Sequence, residues 1–75
     1  MDSTLNRFGE NVRRARQDRG WTQEDLAGES GLAVVQISRI ERGKREIRLT
    51  TLIRLLDSLD VPPDALLDGL LAQPG

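Results

Sequence analysis

Basic side chains are concentrated between positions 39 and 48 of this 75-residue sequence. They are Arg39, Arg42, Lys44, Arg45 and Arg48. Guanidinium and ammonium groups donate hydrogen bonds to phosphate oxygens, and arginine also binds planar acceptors in a bidentate manner. The sequence contains no His and no Cys, which removes the commonest general bases, thiol nucleophiles and most zinc ligands. The stretch therefore predicts binding to an anionic partner, and no enzyme activity, metal or cofactor is expected.

Two short helices joined by a tight turn lead into this stretch, and the second of them carries Arg39 and Arg42. Thr22 followed three residues later by Asp25 is typical of a capped helix start. Gly31 stands where a chain that leaves one helix for the next commonly needs a positive φ. A second helix is predicted from about Ala33 to Arg42, ending at Gly43. Ala33 is a poor start for it, since a missing Ser or Thr cap costs about 1 kcal/mol.

Helical spacing divides this second helix into two faces. The side that can pack on a core carries Ala33, Ile37, Ile40 and Glu41. The opposite side carries Val35, Ser38, Arg39 and Arg42, with Val34 and Gln36 on the flanks. The outer side is short-chained and ends in two arginines. A helix of this kind fits the major groove of duplex DNA, which admits one α-helix.

These motifs resemble the helix-turn-helix of the lambda-repressor and Cro (XRE) family of bacterial and phage regulators. The matching residues are the T-Q-x-x-L-A run from Thr22 to Ala27, Gly31, and the I-S-R-I-E-R-G-K-R run from Ile37 to Arg45. The resemblance extends from about Phe8 to Val61. It implies an all-α, five-helix, lambda-repressor-like DNA-binding domain that regulates transcription.

The resemblance also implies which residues contact DNA. The base contacts would come from Val34, Val35, Gln36, Ser38 and Arg39. The phosphate contacts would come from Thr22, Gln23, Arg42, Lys44 and Arg45. Arg39 can bind guanine in a bidentate manner, whereas the two valines can only pack against thymine methyl groups. Two alternatives stay open, because Val34 fits the core equally well and Lys44 also fits a solvated loop.

A first helix is predicted from about Asn6 to Arg19, after a loose arm at positions 1–5. Arg16 falls close to its apolar face. In the family, an arginine at this position pairs with a glutamate of the second helix of the motif, which is called the recognition helix. Here that glutamate is Glu41. Two charges turned inward on facing helices should be paired, since a lone buried charge is costly. For Trp21, the only tryptophan, a core position is favoured over base stacking.

Length and charge set the remaining limits. A chain of 75 residues predicts one small domain with a modest core. Positions 1–48 hold two more basic than acidic residues, and positions 49–75 hold three more acidic than basic. A basic front half suits a DNA face. No apolar run is long enough to span a membrane and the first six residues do not resemble a signal peptide, so we expect a cytoplasmic protein.

A fourth helix is predicted over Leu49 to Leu59, with Thr50 or Thr51 as alternative caps, and a fifth from Pro63 to about Leu71. The leucines of the fifth helix exceed what a short terminal helix can bury, so we expect a homodimer. The interface would consist of Ile53, Leu66, Leu67, Leu70 and Leu71. The nearby carboxylates favour a solvated face over a metal site; they are Asp57, Asp60, Asp64 and Asp68.

The favoured prediction is a regulator that binds a palindromic operator as a homodimer, similar to the stand-alone controller proteins of restriction–modification systems. The first alternative is an antitoxin-like protein that holds a partner protein and controls its own operon. It is suggested by the segment LTTLIRLLDSLDV, which resembles antitoxins of this family. A toxin or RNA polymerase would be the protein partner. The second alternative is a DNA-binding fragment of a longer regulator.

Overall fold

The computed structural model describes residues 3–70, and all regular structure in that range is helical. The helices are α1 (Ser3–Asp18), α2 (Gln23–Ser30), α3 (Val34–Glu41), α4 (Leu49–Leu59) and α5 (Pro63–Leu67). This arrangement confirms the expected all-α, five-helix class. Within positions 3–70, no helix is long and apolar enough to cross a membrane.

Every helix contributes at least one fully buried side chain to a shared core. These side chains are Val12, Leu26, Ile37, Leu55, Leu59 and Leu66. α1 packs against α3, α4 and α5, and α2 packs against α3 and α4. Full burial of a Val, Leu or Ile side chain contributes about 1.5–3 kcal/mol, so each of these residues adds substantially to the stability of the fold. The core lies behind α2 and α3 and holds both in place.

α1 and α3 approach each other closely at Gly9. A Cβ atom at this position would overlap the carbonyl oxygens of Ile40 and Glu41 at the end of α3. Glycine is thus required here by space and not by backbone conformation. α1 also begins earlier than expected, at Ser3, so positions 3–5 belong to the helix and not to a loose arm. The remaining two positions of the predicted arm, 1 and 2, lie outside the described residues.

Hydrogen bonds from α1 fix α5 in place. Asn11 is buried, and its Nδ2 donates to the carbonyl oxygens of Leu66 at 2.8 Å and Asp68 at 2.9 Å. Arg7, one turn earlier, donates from Nε to the same Asp68 carbonyl at 3.3 Å. The last carbonyls of a helix have no partner within it, so these donors satisfy the end of α5. The short terminal helix is therefore bound to its own chain.

The last two helices differ from expectation in three respects. α4 spans the expected residues, but its N-cap is Arg48 and neither Thr50 nor Thr51. α5 ends at Leu67 and not near position 71, which lies outside the described residues. Leu66 is fully buried in the core of its own chain, so it has no surface to offer a partner and its assignment to a dimer interface was wrong.

Candidate DNA interface

Local hydrogen bonds cap both ends of α2. The Thr22 hydroxyl accepts from the Asp25 N–H at 3.0 Å, and the Asp25 carboxylate accepts from the Thr22 N–H at 2.9 Å. At the other end, Gly31 has φ 77° and its N–H donates to the Ala27 carbonyl at 3.0 Å. This left-handed cap turns the chain directly into α3. The predicted helix-turn-helix geometry is thus determined by local contacts.

α3 has one buried and one exposed face. Ile37 is fully buried and Ile40 is 7% exposed. On the opposite side, Val34 is 37% and Val35 is 52% exposed, and Arg39 is also exposed. Val34 therefore lies on the surface and not in the core. The predicted base-contacting residues share this outer surface, except that Ser38 is half-buried.

The start of α3 is capped in an unusual way. Ala33 occupies the N-cap position with extended backbone (φ −75°, ψ 149°) and has no side-chain acceptor. Gln36, the third residue of the helix, accepts a hydrogen bond from the Ala33 N–H through its Oε1 at 3.0 Å. This is the reverse half of a capping box, and it offsets part of the expected cost of an alanine cap.

Arg16 and Glu41 form a bidentate ion pair where α1 meets the end of α3. Nε donates to Oε2 at 2.7 Å and Nη2 donates to Oε1 at 3.0 Å. The side chains are only 11% and 4% exposed. The hydrogen bond to Glu41 raises the pKa of Arg16, against the opposing effect of desolvation. Arg16 also donates from Nη1 to the Trp21 carbonyl at 2.8 Å, so one guanidinium connects α1, α3 and the residue before the α2 cap.

Gln23, a predicted phosphate contact, is attached to this pair. Its Nε2 donates to Oε1 of Glu41 at 3.1 Å. The side chain is half-buried at the first turn of α2, where backbone N–H groups have no partner within the helix. Gln23 is thus oriented by the same carboxylate that orients Arg16. The other predicted phosphate contact on α2, Thr22, is exposed and serves as its cap.

The remaining predicted phosphate contacts follow α3. Gly43 has φ 67°, its N–H donates to the Ile40 carbonyl at 3.1 Å, and the Lys44 N–H donates to the Arg39 carbonyl at 3.0 Å. These two bonds form a Schellman motif that ends the recognition helix. The neighbouring Arg42, Lys44 and Arg45 side chains are all exposed. A hollow of about 290 Å³ beside them is lined in part by Gln36, Arg39, Arg45 and Arg48.

Comparison with known proteins identifies this arrangement. The profile of the helix-turn-helix family matches residues 12–66. The chain belongs to the helix-turn-helix family. The restriction–modification controller protein C.AhdI from Aeromonas hydrophila has a similar structure, with a TM-score of 0.83 and 35% identity over 87% of this chain and 98% of that protein. The controller protein C.Esp1396I, solved as a tetramer with its natural 35-base-pair operator, gives a TM-score of 0.83 and 30% identity over 95% of this chain and 93% of that protein.

Some proteins that are similar to this helix-turn-helix chain in sequence are longer than it. The transcriptional repressor RghR of Bacillus subtilis is 39% identical over 61 residues, which are 80% of this chain and 45% of that protein. The antitoxin HipB of Escherichia coli is 39% identical over 46 residues, which are 61% of this chain and 52% of that protein. The chain therefore spans about half the length of either relative. The predicted membership of a DNA-binding regulator family, not an enzyme family, is confirmed.

One basic residue of the helix-turn-helix chain has a structural role that the sequence did not reveal. Nη1 of Arg19 donates to the Leu59 carbonyl at the end of α4, at 2.8 Å. Its guanidinium lies 4.6 Å from the ring centre of Trp21, which is half-buried against the core. A cation two residues before a lone tryptophan was the available signal for this contact.

The exposed apolar surface of the helix-turn-helix chain lies on α4 more than on α5. Leu49 is 72% and Ile53 is 48% exposed, one helical turn apart. Leu67 and Leu70 are half-buried and pack on the core. Of the predicted dimer residues, Ile53 thus has the largest described exposure, and Leu49, which was not among them, is more exposed still. Among positions 3–70, no cluster of acidic, His or Cys side chains suits a metal ion.

Proposed function

We propose that the chain binds duplex DNA site-specifically as a homodimer on a palindromic operator and thereby regulates transcription. The observation that supports this proposal is that both ends of α3 are held in place while its outer face is exposed. Its start is fixed by the Gly31 turn, and its end is fixed by the Arg16–Glu41 pair. Its outer face leaves Val35 and Arg39 exposed. A rigid helix with an uncovered, partly apolar and partly cationic face is suited to the major groove.

Base readout would depend on two kinds of contact. Arg39 donates to the O6 and N7 atoms of a guanine, which discriminates against the wrong base by about 1–3 kcal/mol. Val34 and Val35 pack against thymine methyl groups, and this contact removes from water the apolar surface that both valines expose in the free protein. Ser38, being half-buried beside Arg39, would contribute a single hydroxyl at the edge of this surface.

Phosphate contacts on both sides of the groove would set the register of the helix. On one side, the N–H groups at the first turn of α2 and the amide of Gln23 bind a phosphate, with Thr22 next to it. On the other side, Arg42, Lys44 and Arg45 follow the Schellman turn. These contacts carry no sequence information but supply much of the salt-dependent affinity.

A dimer is needed because one helix-turn-helix reads few base pairs. We place its two-fold contact on α4, centred on Leu49 and Ile53, with Leu67 and Leu70 at the margin. Leu71 stays in the proposed interface as a prediction from the sequence. Asp64 and Asp68 lie next to the α5 margin and would keep that margin away from DNA phosphates. The operator-bound tetramer of C.Esp1396I supports assembly on DNA by proteins of this shape.

The proposal is tested by sedimentation and by titration of a palindromic duplex against its isolated half-site. The wild type is expected to be dimeric and to bind the palindrome far more tightly. A Leu49→Asp, Ile53→Asp variant is expected to be monomeric and to bind both duplexes alike. Thr50→Asp, Arg54→Gln is the control, because it changes the net charge by the same two units at two other exposed residues of α4. A wild type that stays monomeric at high micromolar concentration and does not prefer the palindrome would contradict the dimer.

The second candidate function is that of an antitoxin, and the similarity to HipB is the observation in its favour. The α4 surface would then hold a partner protein instead of a second copy. Under this alternative, the product of the neighbouring gene would bind the purified chain. The Leu49→Asp, Ile53→Asp variant would lose that partner and keep its affinity for DNA. If the variant loses affinity for DNA and the wild type binds no partner protein, the homodimer is favoured.

A further inference from the structure

Gln36, which is a proposed base contact, also caps the start of the recognition helix. Its Oε1 accepts from the Ala33 N–H at 3.0 Å, whereas Ala33 has no side-chain group that could accept from the first turn of α3 in return. A glutamine side chain carries one carbonyl oxygen, which has two acceptor sites, and one amino group, which donates. Because the Ala33 N–H holds the oxygen at the start of α3, the amino group is the part of the exposed amide that is free to turn to a base.

We propose that Gln36 reads the operator as a hydrogen-bond donor only; this inference rests on the proposed function. Recognition of adenine by glutamine uses both halves of the amide, one toward N6 and one toward N7. An amino group alone can donate to N7 of either purine, to O6 of guanine or to O4 of thymine. Cytosine presents only a donor in the major groove. Gln36 therefore rejects cytosine and does not select adenine.

Docking in the groove favours the cap bond over a bidentate contact. Water leaves the start of α3 when this end of the helix enters the groove. If Gln36 turned its oxygen to a base, the Ala33 N–H would lose its acceptor at a place from which water has left, and an unsatisfied buried donor is costly. Gln36 also lines the same hollow as Arg39, which has donors only. The two side chains together match a run of base acceptors.

The test begins with selection of bound sequences from random duplex DNA by the wild type and Gln36→Ala. The base pair at which their preferences differ is the one that Gln36 reads. An operator with adenine at that position is then compared with two analogues, unsubstituted purine, which lacks the N6 amino group, and 7-deazaadenine, which lacks N7. For the wild type, purine should bind within about 2-fold of adenine, and 7-deazaadenine should weaken binding about 3- to 10-fold. Gln36→Ala should bind all three alike.

Two further variants separate capping from reading. Gln36→Ala should lower the Tm by about 2–4 °C, because it removes the cap acceptor. Gln36→Glu keeps an acceptor and places a carboxylate near the positive end of the helix dipole, so its Tm should equal or exceed that of the wild type. The double variant Ala33→Ser, Gln36→Ala should regain its Tm through the new hydroxyl cap but not the base preference.

Three results would overturn the inference. If the wild type loses as much affinity with purine as with 7-deazaadenine, the amide reads adenine with both groups and the cap bond is given up. If Gln36→Ala changes the preference at no position, Gln36 does not contact a base. If the wild type enriches no sequence at all, the proposed function fails, and this inference fails with it.

Discussion

Glu41→Ala is expected to cause a large loss of stability. The Arg16 side chain, 11% exposed, would keep its charge and lose both hydrogen bonds to the carboxylate. Its remaining acceptor would be the Trp21 carbonyl, and Gln23 would also lose a partner. Removing one member of a buried pair costs about 3–5 kcal/mol. That is a large part of the roughly 4–11 kcal/mol available to a chain of this length.

The assay is thermal and urea denaturation followed by circular dichroism. Each kcal/mol lowers the Tm of a domain of this size by about 4–8 °C, so the expected decrease for Glu41→Ala exceeds about 12 °C. Glu29→Ala, an exposed position on α2, is the matched control and should not change the Tm. The Arg16→Met, Glu41→Leu double variant should be close to the wild type, because no unpaired charge remains. A Glu41→Ala Tm equal to that of the wild type would refute the reasoning, as would a coupling energy near zero in the cycle of Arg16→Met, Glu41→Leu and their double variant.

Three other substitutions address different parts of the structure. Arg39→Ala should weaken operator binding by about 1–3 kcal/mol without a change in Tm, and unchanged affinity in a fluorescence anisotropy titration would contradict the proposed docking. Lys44→Ala should weaken binding to all sequences about equally and reduce the slope of log K against log salt by about one, whereas loss at one base pair only would contradict a phosphate contact. Gly9→Ala should cost about 1–3 kcal/mol, because the new Cβ overlaps the Ile40 and Glu41 carbonyls, and a wild-type melting curve would show that α1 can move away.

The helix-turn-helix itself was predictable because local chemistry determines it. The hydroxyl and carboxylate of the α2 capping box are three residues apart, and the left-handed turn has its glycine. The contact between Arg16 and Glu41 joins residues 25 positions apart, and it was anticipated from the family resemblance together with the inward position of both charges. Neither the capping pattern nor the family resemblance depends on how α4 and α5 pack.

The surface of the C-terminal helices was harder to predict because it depends on how far their neighbours extend. Leu49 and Leu55 are both leucines of α4, yet Leu55 is fully buried and Leu49 is 72% exposed. Leu66 is buried because Asn11 fixes the short α5 against α1, and periodicity does not reveal such a polar contact. The capping role of Gln36 was missed for a related reason, since the acceptor lies three residues after Ala33, the position at which a capping hydroxyl is expected.

The central claim is that α3 reads DNA while a second copy of the chain reads the symmetric half-site. The most direct measurement is selection of bound sequences from random duplex DNA by the wild type and by Arg39→Ala in parallel. The wild type should enrich a palindrome whose half-sites are about one helical turn, roughly 10 base pairs, apart. Arg39→Ala should lose the preference for one G·C pair in each half. Enrichment of an asymmetric site that is the same for both proteins would contradict the claim.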